Sequence, residues 1–163
     1  MTLEKGGTSV RVPPEDGWYA TARVLDGRIR TLNLHTHPDR RPGVTINLHI
    51  GKSSGLSASH SGPLPGGGVD IVVSPSGDPW VYDPGAVSYH SDRSSDDSPR
   101  YPLPAVVRFQ ELSETHLIGT ITGLFYENLL GGGNDPASRA NVKIDFVARV
   151  CYGPPGARCD TPP

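Results

Sequence analysis

Three histidines raise the first chemical possibility in this chain. His35 and His37 stand two apart in TLNLHTH, so on an extended strand both imidazoles leave the same face. His49 ends the similar run TINLH, and an antiparallel pairing that aligns Leu32 and Leu34 with Ile46, Leu48 and Ile50 puts it on that face too. Three imidazoles on adjacent strands make a candidate zinc or copper site at His35, His37 and His49. Pairing register decides whether they converge. The alternative is an ordinary solvated sheet face shared with Asn33, Thr45 and Asn47.

Other constellations say less. Asp92, Asp96 and Asp97 share a Ser-rich stretch, and Asp78 and Asp83 flank Trp80, but none has the spacing and glycine turn of a calcium loop. Ser59 precedes His60 without a nucleophile-elbow motif. Glu111 and Glu114 are a carboxylate pair whose separation in space is not set by sequence. Gly131-Gly132-Gly133 lacks the Lys-Ser/Thr that completes a phosphate loop. The aromatic residues Trp80, Tyr82, Tyr89 and Tyr101 lie near long polar segments, where flat rings beside Asp and Asn suit a glycan or peptide. The alternative, and the simpler reading, is that Trp18 and Trp80 plug the ends of the core.

These residues need a frame, and the composition points to strands. Hydrophobic residues are 35% of the 163, while 20 Gly and 17 Pro favour turns over long helices. Asp26-Gly27 is a two-residue hairpin signal between the strands 18–25 and 28–37, and 44–50 adds a third strand. Shorter strands are expected at 9–12, 69–74, 80–82 and 86–90, then longer ones at 105–112, 115–126 and 141–150. In the last, Val142, Ile144, Phe146, Ala148 and Val150 alternate with Lys143, Asp145 and Arg149. Gly119 and Gly123 share a face with Leu117, Ile121 and Phe125, which predicts a bent strand in a curved sheet. The expected fold is all-β: one antiparallel β-sandwich or strongly curved β-barrel of about 8–9 strands with long polar loops. Residues 1–16 read as a flexible N-terminal segment, 17–150 as the β-domain and 151–163 as a tail.

Cys151 and Cys159, the only cysteines, bracket YGPPGAR, a segment that turns back readily. A disulfide between them would close the tail onto the last strand and place the protein in an oxidising compartment. The start, MTLEKGGTSV, has no apolar signal-peptide core, so export implies a leader upstream of Met1. There is no apolar run of 18 residues for a membrane helix. A formal charge of −2 and a pI near 6.3 argue against a nucleic-acid partner.

HLIGTITGLFYEN, a Gly-rich turn and VKIDFVARV together resemble the terminal hairpin of bacterial secreted lipoproteins with a β-sandwich fold. The pattern is a Gly/Thr-rich strand followed by one ending in an aromatic and small apolar residues. The resemblance implies an envelope location. It assigns no functional residue, and the family's lipobox cysteine has no counterpart here. The resulting expectation is an exported or cell-surface binding or structural domain without catalysis. Its partner is a protein, glycan or small ligand, met by the segments 51–68 and 91–104. The alternatives are a metal-binding protein using the histidine face and an extracellular hydrolase.

Overall fold

A computed structural model describes residues 2–5, 8–11, 19–35, 43–50, 55–65, 68–74, 87–91, 105–129 and 139–152. Twelve strands account for most of them: β1 (Thr2–Lys5), β2 (Thr8–Arg11), β3 (Tyr19–Leu25), β4 (Arg28–His35), β5 (Gly43–His49), β6 (Leu56–Ser57), β7 (Ser61–Pro63), β8 (Gly68–Ser74), β9 (Val87–His90), β10 (Val106–Leu112), β11 (His116–Leu129) and β12 (Arg139–Tyr152). The described residues contain no helix. None of their segments is a helix long and apolar enough to cross a membrane.

The strands close on themselves. Hydrogen bonding runs β12-β3-β4-β5-β8-β9-β11 and returns to β12. Six of the seven contacts in this ring are antiparallel, and β12 with β3 is parallel. An odd number of alternating strands cannot close without one parallel pair, so that contact follows from the count. Closure leaves the ring itself without the long open edges that a sheet must protect, and the short strands β2 and β7 end the branches that leave it through β1 and β10. The long β12 makes it possible: its far end, 149–152, bonds β3, while 141–143 bonds β1 on the same edge.

Alternation then sorts the side chains. Along β12, Ala140, Val142, Ile144, Phe146, Ala148 and Val150 point into the ring and are buried. Their neighbours Arg139, Asn141, Lys143, Asp145 and Val147 are exposed. The inward residues of the other strands, among them Leu32, Ile46, Ile71, Ile121 and Phe125, complete one core. A ring this narrow is filled by its own side chains.

Two local features shape the ring. The β3–β4 turn has positive φ at both Asp26 (52°) and Gly27 (69°), the backbone that a two-residue hairpin needs. Gly119 lies between Phe109 of β10 and Phe146 of β12 in the cross-strand row. Those two rings meet edge to face across it, 6.5 Å apart. The β10 ladder shifts register between Phe109 and Glu111, beside this glycine.

The structure departs from the expected elements in two places. Within 1–16, β2 meets the strand expected at 9–12 and β1 is additional; the two extend the sheet from the edge of β12, and TLEK has too few apolar residues to announce a strand. The segment 51–68, expected to be a loop, contains β6 and β7. There Leu56 and Leu64 enter the core, and Leu64 N–H bonds the Ala105 carbonyl at 2.9 Å. The possible strand at 80–82 lies outside the described residues.

Candidate functional site

The outward side of the ring is mostly polar, with Val72, Ile118 and Val147 among its apolar residues, and it is not uniformly wet. On β12 the outward residues from Arg139 to Val147 are exposed, whereas on β4, β5, β8 and β9 those from Thr31 onward are sheltered wherever their burial is described. Thr45 is 2% exposed, Ser74 0% and Ser88 8%, and Asn33, His35, Asn47, Asp70 and His90 are half-buried. Register arranges them in rows. Asn33 pairs with Asn47, Asn47 with Asp70, and Asp70 with His90. One row along, His35 pairs with Thr45, Thr45 with Val72, and Val72 with Ser88. Adjacent strands lie about 4.8 Å apart, so each row is a line of closely spaced polar groups.

At one end of these rows three side chains bond in sequence. His90 Nδ1 lies 2.6 Å from Asp70 Oδ1, and His90 Nε2 lies 3.2 Å from Ser88 Oγ. An ionised carboxylate only accepts, so Nδ1 carries the proton and donates to Asp70. In the neutral form of the ring Nε2 accepts from the Ser88 hydroxyl. The Asp70 side chain is 14% exposed and that of His90 33%. Ser91, just past β9, locks the register: Val69 N–H bonds its Oγ at 2.7 Å, and its own N–H bonds the Val69 carbonyl at 2.9 Å. Asp70 and His90 therefore face each other across two strands whose pairing cannot slip.

A second Ser–His–carboxylate set sits in the β10–β11 turn and differs in kind. Ser113 Oγ lies 2.9 Å from His116 Nδ1, and His116 Nε2 lies 3.4 Å from Glu111 Oε1. Ser113 Oγ also accepts the backbone N–H groups of Thr115 and His116, at 3.3 and 3.0 Å. Ser113 is the hydrogen-bonding centre of a tight turn, and Glu111 and Glu114 are exposed beside it.

The residues singled out from sequence are placed as follows. Register sets His35 opposite Thr45 and His49 opposite Thr31. The two histidines are thus separated by four residues of strand, about 13 Å, and are not brought together. His37 lies outside the described residues. Burial lowers the pKa of His35 and favours its neutral form, and its Nδ1 lies 3.4 Å from Thr45 Oγ1. Among the described residues no three His, Cys, Asp or Glu side chains cluster as metal ligands. Tyr89 is a correction to the aromatic face: it is 8% exposed, pairs with Ile71 and belongs to the core, because the strand alternation that turns His90 outward turns Tyr89 inward. Trp80, Tyr82 and Tyr101 lie outside the described residues. Ser59 and His60 are not a catalytic pair, since the Ser59 hydroxyl meets Ser57 Oγ at 2.9 Å and the His60 ring packs near Phe109. Cys151 is buried at the end of β12, and Cys159 lies outside the described residues.

Asp70, Ser88 and His90 were missed by the sequence reading, although two signals were there. Asp70 is a charged residue inside the apolar run VDIVV, and Ser88 and His90 share a face of VSYH. No family model matches the chain, and neither does any curated protein or solved structure.

Proposed function

We propose that this chain is an exported or cell-surface binding domain that holds its ligand on the sheltered outward face of β4, β5, β8 and β9. The observation that carries the reading is the contrast between that face and β12. Removing polar groups from water costs free energy unless they find partners. A rigid wall that keeps Asn33, Thr45, Asn47, Asp70 and Ser88 from bulk water has the character of a preorganised recognition surface. The described outward positions on these strands from Thr31 onward include no Lys or Arg, and the amides and hydroxyls both donate and accept. A neutral hydrogen-bonding ligand of the glycan type fits that inventory better than an anion does. The location rests on the Cys151–Cys159 disulfide, which we include in the proposal, and on the resemblance of the terminal hairpin to secreted lipoproteins.

Glycan and peptide arrays probed with the wild-type chain and with an N33A/N47A variant test the binding reading. Retention on glycans that the double variant loses supports it. Retention that the double variant keeps, or none on any glycan, refutes it.

A further inference from the structure

We propose that Ser88, His90 and Asp70 carry out acyl transfer, with Ser88 as nucleophile, on short-chain neutral esters. The inference rests on the sheltered face being the ligand site, and it adds a reaction there. The hydrogen bonds run in the order such chemistry requires: carboxylate to Nδ1, then Nε2 to the serine hydroxyl, at 2.6 and 3.2 Å. Exposure is greatest at His90, whose side chain is 33% exposed against 14% for Asp70, while Ser88 is 8% exposed beside it. All three residues stand on paired strands, which fix their positions better than a loop would.

In the first step the Ser88 oxygen bonds the acyl carbon while Nε2 of His90 takes the hydroxyl proton. The ester C–O bond then breaks, and the leaving alkoxide receives that proton from Nε2. In the second step His90 takes a proton from water, and the hydroxide so formed attacks the acyl-serine. The acid departs and Ser88 regains its proton. Ser88 and His90 are the catalytic residues, and Asp70 is a positioning residue that holds the imidazole tautomer. β9 is paired along both edges, so its backbone N–H groups are committed to the sheet. Stabilising the oxyanion therefore falls to a side chain, and Tyr126, paired with His90 on β11, carries a suitable hydroxyl. The substrate class follows from the walls. Thr45 and Asn47 are short and polar, Val72 is the one apolar outward residue of β8, and the described outward positions of β4, β5, β8 and β9 from Thr31 onward carry no Lys or Arg to draw a carboxylate, the Arg139 guanidinium lying over the Tyr126 ring instead, 5.3 Å from its centroid. An acetyl group suits this surface, and a long acyl chain does not.

The test is labelling of the intact protein with a fluorophosphonate probe, with the modified residue located by mass spectrometry, alongside hydrolysis of p-nitrophenyl acetate and octanoate. The expected result is a label on Ser88, faster turnover of the acetate, and loss of both activities in S88A. H90Q should lower the rate by ~10²–10⁴, and S113A should leave labelling intact. In D70N, ring-nitrogen NMR should show the proton leaving Nδ1 of His90 as the rate falls, a change that loss of packing alone would not produce. A wild-type protein with no label on Ser88, or acetate hydrolysis that persists in S88A, overturns the proposal. Glycan binding that N33A/N47A abolishes, in a protein whose Ser88 stays unlabelled, would overturn acyl transfer and leave the binding reading standing.

Discussion

Replacing Gly119 with alanine tests how the ring is packed. A Cβ built there would lie 2.7 Å from the Arg108 carbonyl oxygen, 2.7 Å from Phe146 Cζ and 3.2 Å from Phe109 Cδ1. Neither of the first two neighbours can simply withdraw. The carbonyl belongs to the strand paired with Gly119, and Phe146 is 6% exposed in the core. Overpacking of this kind costs roughly 1–3 kcal/mol, and the lower chain entropy of alanine in the unfolded state offsets about 0.4–1 kcal/mol of it. The net expectation is a loss of roughly 1–2 kcal/mol, or about 2–8 °C in Tm for a domain of this size. Urea unfolding followed by circular dichroism measures it, and an unchanged m-value would show that the denatured state is not responsible. G123A is the comparison: its added Cβ would meet a Phe125 ring carbon at 3.2 Å and Ala105 Cα at 3.4 Å, contacts a small ring movement relieves. Adding F146L to G119A should recover part of the loss, because the Arg108 oxygen remains. A G119A protein as stable as wild type, or one less damaged than G123A, would refute this account of the packing.

Three further outcomes are expected. Thiol titration in denaturant should find no free cysteine without reductant, and reduction should cost about 2–3 kcal/mol, the value for so short a closed loop. His35 has a pKa lowered by burial, so the unfolded chain binds its proton more readily. This contribution to stability is complete above the ordinary histidine pKa of 6.5 and is lost as pH falls from there toward the lowered folded value. Tm should therefore drop less on acidification in H35N than in wild type, and equal drops would refute the assignment. After chelator treatment, excess zinc should shift the Tm of wild type and H35A equally, since register holds His35 and His49 about 13 Å apart. A site saturated a hundredfold over its Kd would instead add about 2.7 kcal/mol that H35A loses.

Local chemistry made several elements readable in the sequence. The Asp26-Gly27 turn could be read because only residues tolerant of positive φ suit it, and 141–150 because every second residue is apolar. β6 and β7 were hidden: strands of two and three residues have no period, and Pro63 argues against one. The Asp70–His90–Ser88 set was hidden for another reason. Asp70 and His90 are twenty positions apart, and a strand can pair in registers that each flip or displace its partners. Only the β8–β9 ladder sets Asp70 opposite His90.

By itself, then, the sequence determined that this protein is built of strands, which residues of β12 would face inward, and that the Asp26-Gly27 turn is tight, since each of these follows from neighbouring residues. Only the tertiary structure decided that the strands close into a ring through the parallel β3–β12 contact, that Tyr89 serves the core and His90 the outward face, and that two candidate metal ligands stand apart while a carboxylate, an imidazole and a hydroxyl come together. Those outcomes depend on register between segments distant in the chain, and register is selected by the burial of the whole core at once.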